Sequence, residues 1–409
     1  MTSSESIRAA NISKLAELAV NFGVNLQDGQ ELIVTAPIAA VDFVREITDH
    51  AYRAGSKLVT VIYSDDAAAL SRYENGHDAS FDYAPAWLYS GIADAFRNGA
   101  ARLAVSGDTP GLLKGQDAAR ISRANRAQAA ATKPFIQAIT TLETNWSIVP
   151  FASAGWAAQV FPHLPASEAT DRLWDLILNV TRADRDDPVA VWEDHIASLE
   201  TRISRLQSAN FWGLRFFNGQ TDLTVGLADN HVWQGGAVSS QKGVRFAPNL
   251  PTEEVFSMPH RDRVNGRAVF TKPVALQGSI VDGLVVEFKD GRAIGVKAKS
   301  GQDVFEKFVA TDEGSCFLGE VALVAHSSPI SNSDVLFFNT LFDENAACHI
   351  AFGMSYSMNL PKDADGPACG ANTSSVHMDC MIGDGAMNVD GIAADKSVVP
   401  IMRDGEFVL

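Results

Sequence analysis

The chain has 409 residues, 46% of them apolar, and carries a formal net charge of −16. Single cores stop growing near ~250–300 residues, so two domains are expected, and the composition is that of a globular chain rather than a disordered one. The acidic balance excludes a partner held by its phosphate backbone, since that requires clustered lysine and arginine. There is no N-terminal apolar h-region and no run of ~18 apolar residues, so a soluble, cytoplasmic protein with neither membrane nor nucleic acid as partner is expected.

Ile12, Leu15, Ala19 and Phe22 recur at helical spacing, which predicts a helix over 5–23 stopped by Gly23. Strand and helix signals then alternate. Leu32 to Val34 is a short apolar strand, residues 40–54 are helical up to Gly55, and Lys57 to Tyr63 is a β-branched strand. Arg102 to Val105 and Trp146 to Phe151 supply two more strands, with helical stretches between them. Apolar strands joined by helices imply a mainly parallel sheet covered on both faces, an α/β domain over residues 1–208. The turn Ser106-Gly107-Asp108-Thr109-Pro110-Gly111 follows a strand but lacks the spacing of a phosphate loop.

Asp187-Pro188 is a cap followed by a first-turn proline, and Val189, Trp192, Ile196, Leu199, Ile203 and Leu206 follow at helical spacing. That helix closes the first domain. From Phe211 the period changes to two: Thr221 to Val225 alternates, and Val285 to Arg292 is a hairpin with an Asp-Gly turn. Residues 209–409 are therefore expected to form a mixed α+β domain rich in antiparallel strands. Cys316, Cys348, Cys369 and Cys380 show no CxxC spacing, so buried free thiols are expected rather than a zinc cage or disulfides.

The β-rich half places ionisable residues in apolar company. A buried unpaired charge costs several kcal/mol, so each such residue requires a partner or a metal. His377 and Asp379 are two apart on an apolar strand and point to one side, where they converge on an ion or face water. Glu320 sits in LGEVALV with nothing local to neutralise it, leaving a distant arginine or a metal. His349 follows Glu344 by five residues and precedes Tyr356 by seven; a satisfied core histidine and a ligand are both open. In NLPTEEVF, Glu253 and Glu254 face opposite ways, so only one enters a site, unless the segment is a solvated acidic turn. Carboxylates outnumber imidazoles, a donor set that suits a pair of divalent ions better than a structural zinc.

NLPTEEVF, LGEVALV, DENAACHIAFGMSY and SSVHMDCMIG, in that order, closely resemble the thermophilic-type metalloaminopeptidases, the aminopeptidase T and aminopeptidase S group. The resemblance runs over most of the chain. It implies removal of the N-terminal residue from peptides with a free N-terminus, a homodimer, and two divalent ions, Zn²⁺ or Co²⁺, with Mn²⁺ also compatible. It puts the metal ligands at Glu254, Glu320, Glu344, His349, His377 and Asp379, and Tyr356 on a tyrosine that lines the family's site. Glu253 stands where relatives often have a small residue, which keeps the choice between Glu253 and Glu254 open.

A hydroxide activated between two ions needs no Ser or Cys nucleophile, and no such motif is found. Glu344, or else Glu253, would take its proton, and Tyr356 would donate to the oxyanion. Two other readings stay open: a metal-dependent amidohydrolase acting on a non-peptide amide, and a scaffold whose carboxylates form ion pairs. The N-terminal histidines His50, His77, His163 and His195 are expected in surface or capping roles.

Overall fold

In the computed structural model, which describes residues 3–276 and 279–409, the helix Ser3–Leu18 leads through a π-helical turn at Ala19–Gly23 to the strand Glu31–Pro37. Four parallel strands lie side by side in the order Leu58–Ser64, Glu31–Pro37, Ala101–Ser106, Trp146–Pro150. Leu32, Val34 and Leu103 are wholly buried in that sheet, and the helix Val41–Arg53 buries Phe43, Val44, Ile47 and Ala51. Leu58–Ser64 departs from the expected burial on both faces, with Leu58 48% and Tyr63 40% exposed. It is an edge strand, so only one neighbour and part of one face cover it.

Two compact units result: residues through Asp194 together with Ala237–Pro251, and His195–Gly236 together with Thr252–Leu409. The helix Pro188–Ala209 begins as the sequence predicts, with the Asp187 carboxylate accepting the Ala190 N–H at 3.0 Å and Pro188 in the first turn. Its stripe of Trp192, Ile196, Leu199 and Leu206 is buried. No helix among the described residues is long and apolar enough to cross a membrane.

The second unit is built on antiparallel strands. One sheet has eight strands, from Arg292–Lys297 at one edge to Glu406–Phe407 at the other. Its hairpin Val285–Lys289/Arg292–Lys297 turns on Asp290 and Gly291, both at positive φ (48° and 82°), as a two-residue hairpin requires. A side chain at Gly291 would also meet the Arg261 carbonyl oxygen at 1.7 Å. A second sheet has four strands in the order His377–Met381, His349–Gly353, Leu318–Val324, Glu254–Ser257.

The register of that second sheet separates two faces. Val321, Leu323, Ile350, Phe352, Met378 and Cys380 alternate onto one face and are buried, with Phe352 packed on Phe288 and Phe305 at 5.7 and 5.3 Å between ring centroids. The pairs Val324↔Glu254, Ala322↔His349, Glu320↔Ala351, Ala351↔Asp379 and Gly353↔His377 put Glu254, Glu320, His349, His377 and Asp379 on the other. Between these long polar side chains stand Ala322, Ala351 and Gly353. Small residues there leave room for the ionisable groups to converge.

Candidate metal centre

Glu320 reaches that face through a β-bulge. The pairing shifts between Leu318↔Phe352 and Glu320↔Ala351, leaving Gly319 as the extra residue. A Cβ at Gly319 would lie 2.3 Å from the Met354 carbonyl oxygen, so only glycine fits the bulge that aims Glu320. Glu344 comes from a different element, the short turn Glu344–Ala346 that follows the helix Thr340–Asp343. The fully buried Asn345 ties that turn to the strand carrying Glu254: its Oδ1 accepts the Glu253 N–H at 2.7 Å and its Nδ2 donates to Leu341 O at 3.0 Å.

The structure gathers all six side chains named as ligands. His349 Nε2 lies 3.2 Å from Glu254 Oε2 and 3.6 Å from Glu320 Oε1, and His377 Nε2 lies 3.4 Å from Asp379 Oδ1 and 3.8 Å from Glu320 Oε2. Glu344 stands close enough to Glu254, Asp379 and Glu320 for their charges to act on it. The Tyr356 ring packs on the His377 ring with centroids 4.6 Å apart. The two consecutive glutamates part as extended chain requires: Glu254 faces His349, whereas Glu253 faces His195, 3.4 Å from its Nε2. His195, which the sequence places with surface or capping histidines, is half-buried against Glu253, with Nε2 also 2.8 Å from Thr252 O. His77 does cap, accepting the Ala79 N–H.

Each central imidazole is anchored through Nδ1 to a backbone carbonyl, His349 to Ala347 O at 3.1 Å and His377 to Met354 O at 2.8 Å. That contact places the ring proton on Nδ1 and turns the Nε2 lone pair toward the carboxylates, the arrangement of a metal-ligating histidine. Among the described residues, the buried His349 Nε2 and Glu254 Oε2 make no hydrogen bond despite their 3.2 Å separation. One ligand atom from each of Glu254, Glu320 and His349 lies within 4.8 Å of the others. Two bare, buried, opposed polar atoms are costly unless a cation lies between them, so these residues fit a divalent metal.

Titration of the ion-free cluster follows the same logic. Burial, and then the neighbouring Asp379 and Glu254 charges, push Glu320 up to about 7 against the lowering contact with His349. Burial and the Glu254 and Asp379 charges hold Glu344 well above the carboxylate range. Burial works to lower His377, but Asp379 and Glu320 outweigh it and the imidazole rises to about 9. Tyr356 is raised by burial and by the carboxylates around it, so its hydroxyl keeps its proton. The cysteines are free and buried as expected. Cys348 Sγ turns to Val324 O at 3.4 Å and Met402 Sδ at 3.6 Å, and burial pushes its thiol up to about 11.

Asp312 escaped the sequence reading. It accepts the Ser374 Oγ–H at 2.8 Å, the Ser375 N–H and Oγ–H at 2.7 and 2.6 Å, and the Ser315 N–H at 2.9 Å, and so fixes the loop leading into His377. Burial raises its carboxyl, but the hydrogen bonds from Ser375 and Ser374 outweigh that and bring it down to about 2. A depressed pKa gives stability that is present above the unfolded value near 3.8 and lost as pH falls toward 2. Asp312→Asn should therefore lower the melting temperature at pH 7 by roughly 2–4 °C, with the difference narrowing by pH 3. Equal melts of variant and wild type at both pH values would refute this.

The family model for thermophilic metalloprotease (M29) matches residues 8–407. Aminopeptidase T of Thermus aquaticus is 50% identical over 402 residues, covering 98% of each chain. Aminopeptidase AmpS of Bacillus subtilis is 41% identical over 401 residues, covering 97% of this chain and 98% of that one. The solved structure of wild-type AmpT from Thermus thermophilus superposes with a TM-score of 0.94 at 49% identity, over 98% of this chain and 99% of that one. Full-length identity of this order, with the gathered carboxylates and imidazoles, has one reading: the chain belongs to the thermophilic metalloprotease (M29) family of metal-dependent aminopeptidases.

Proposed function

We propose that this protein removes the N-terminal residue from peptides at a centre in which Glu254, Glu320, Glu344, His349, His377 and Asp379 hold two divalent ions, Zn²⁺ or Co²⁺, with Mn²⁺ as a further fit. The observation that carries this reading is the buried His349 Nε2 facing Glu254 Oε2 at 3.2 Å with neither in a hydrogen bond. When bound, the ions would supply the Lewis acidity that acidifies water and polarises the scissile carbonyl. The chain's residues do the rest. Glu344 takes the proton from the attacking water on its carboxylate and passes it to the leaving amine. Tyr356, packed against the His377 ring, donates its O–H to the oxygen that gains charge. Glu253 turns toward His195 instead, which favours Glu254 as the ligand.

A homodimer and a cytoplasmic location are further parts of the proposal. Metal analysis of reconstituted protein should give two equivalents per chain, and fewer than one would overturn the centre. Aminoacyl-p-nitroanilides should exceed their N-acetylated forms in kcat/KM by about 10²-fold or more, because acetylation removes the free amine that an aminopeptidase reads. Equal rates on both would favour an amidohydrolase acting on blocked amides.

A further inference from the structure

A cavity of about 500 Å³ opens beside the centre, with Glu344, His377 and Asp379 on one side of it. Its volume falls in the range of small-ligand sites. Part of its lining is an apolar floor: Val274, Leu276 and Phe308 are buried, and Phe338 lines it with them, while Asn339 and Asp343 add polar groups. The polar residues Thr340 and Ser375 are exposed and so sit at its mouth. No lysine or arginine lines it among the described residues, whereas Asp343 does.

Phe338 is held at a φ of 55°, a left-handed conformation that is a genuine outlier for a bulky side chain. Asp343 maintains that turn by accepting the N–H of Phe337 at 2.9 Å and of Asn339 at 3.0 Å, one on each side. Such strain persists only where the surroundings over-determine it, and here the strained residue borders the cavity.

We propose that this cavity is the S1 subsite and that it selects peptides whose N-terminal residue carries a large apolar side chain: leucine, methionine or phenylalanine. The inference rests on the aminopeptidase reading and extends it to substrate class. A substrate's first side chain is carried by the α carbon bonded to its scissile carbonyl, so the space adjoining the metal centre receives that side chain. An apolar floor rewards each added methylene, and an acidic side chain would lose its hydration there with no lysine or arginine among the described lining residues to pair it.

The test compares kcat/KM on the p-nitroanilides of leucine, phenylalanine, alanine and glutamate, a series that varies only the first side chain. The wild type should prefer leucine to alanine by about a hundredfold, and glutamate should be the poorest. Phe338→Ala should shrink the leucine-to-alanine ratio about tenfold, and Thr340→Arg, at an exposed position, should raise the glutamate-to-alanine ratio about tenfold. Calorimetric binding of free L-leucine and L-alanine, as products, should show the same loss of discrimination in Phe338→Ala. Both ratios unchanged, with amino-acid turnover intact, would overturn the S1 assignment and leave the aminopeptidase reading standing. No turnover of any free-amine substrate by metal-loaded wild type would overturn the reading beneath it.

Discussion

Glu344→Gln should lower kcat by about 10²–10⁴-fold, the usual contribution of a positioned general base, with a smaller effect on KM. Glutamine keeps the size of the side chain and its contact with the Asn345 amide, where Glu344 Oε1 now lies 3.4 Å from Nδ2, but it takes up no proton. Glu344 is also a proposed ligand, so occupancy has to be measured alongside rate, and saturating metal separates the two roles. A second consequence concerns the metal-free protein. Burial and the Glu254, Asp379 and Glu320 charges all penalise the ionised Glu344 carboxylate, so its neutral replacement should raise the melting temperature of the stripped protein. Slower turnover with a more stable apo form is the signature of a catalytic carboxylate held against its own electrostatics. Near-wild-type kcat at full occupancy would remove Glu344 from the role and return attention to Glu253.

Where the chemistry is local, the sequence is a good guide to it. The two-residue spacing of His377 and Asp379 predicts convergence on one side, and the strand register delivers it at 3.4 Å. Glu320 announced itself by being charged in an otherwise apolar strand, and that strand is buried along its whole length. The parallel sheet followed by antiparallel strands was equally legible, because the hydrophobic period changes from helix-linked apolar runs to alternation near Phe211.

Long-range pairing was not legible. Asp312 gives no sign in its own neighbourhood that it will accept hydrogen bonds from Ser374 and Ser375, and Asn345 gives none that it will receive the Glu253 N–H. Both act by joining segments far apart in the chain, which periodicity does not report. The contacts of His195 are hidden for the same reason: its helix is readable, but the turn at Thr252 and Glu253 that meets it arrives from elsewhere. Residues 237–251 return to the first unit across what reads as a continuous β-rich half, with no composition shift to mark the excursion. Even the exposed edge of the parallel sheet follows from strand order rather than from the apolar content of Leu58–Ser64.

Removing the metal should abolish activity and also reverse how the second unit responds to pH. In the ion-free cluster Glu320 rises to about 7 and His377 to about 9, both above their unfolded values. Groups raised in this way bind protons more tightly in the folded state, so their contribution to stability is fully present at low pH. It is then lost as pH rises, from the unfolded carboxylate value near 4.5 through 7 for Glu320, and from 6.5 through 9 for His377. The chelated protein should therefore melt at a lower temperature at pH 8 than at pH 6. Divalent ions require the opposite protonation, ionised carboxylates and a neutral imidazole, so their binding releases protons and tightens as pH rises. At a free metal concentration a hundredfold above the Kd at pH 6 each ion would add about 2.7 kcal/mol, and at that same concentration the increment should be larger at pH 8. Melting curves of loaded and stripped protein at the two pH values, with calorimetric titration of Zn²⁺ in buffers of differing ionisation enthalpy, read both effects. A stripped protein that melts identically to the loaded one at pH 8, or metal uptake without proton release, would mean that Glu254, Glu320, His349, His377 and Asp379 pair among themselves and that any ion taken up binds elsewhere.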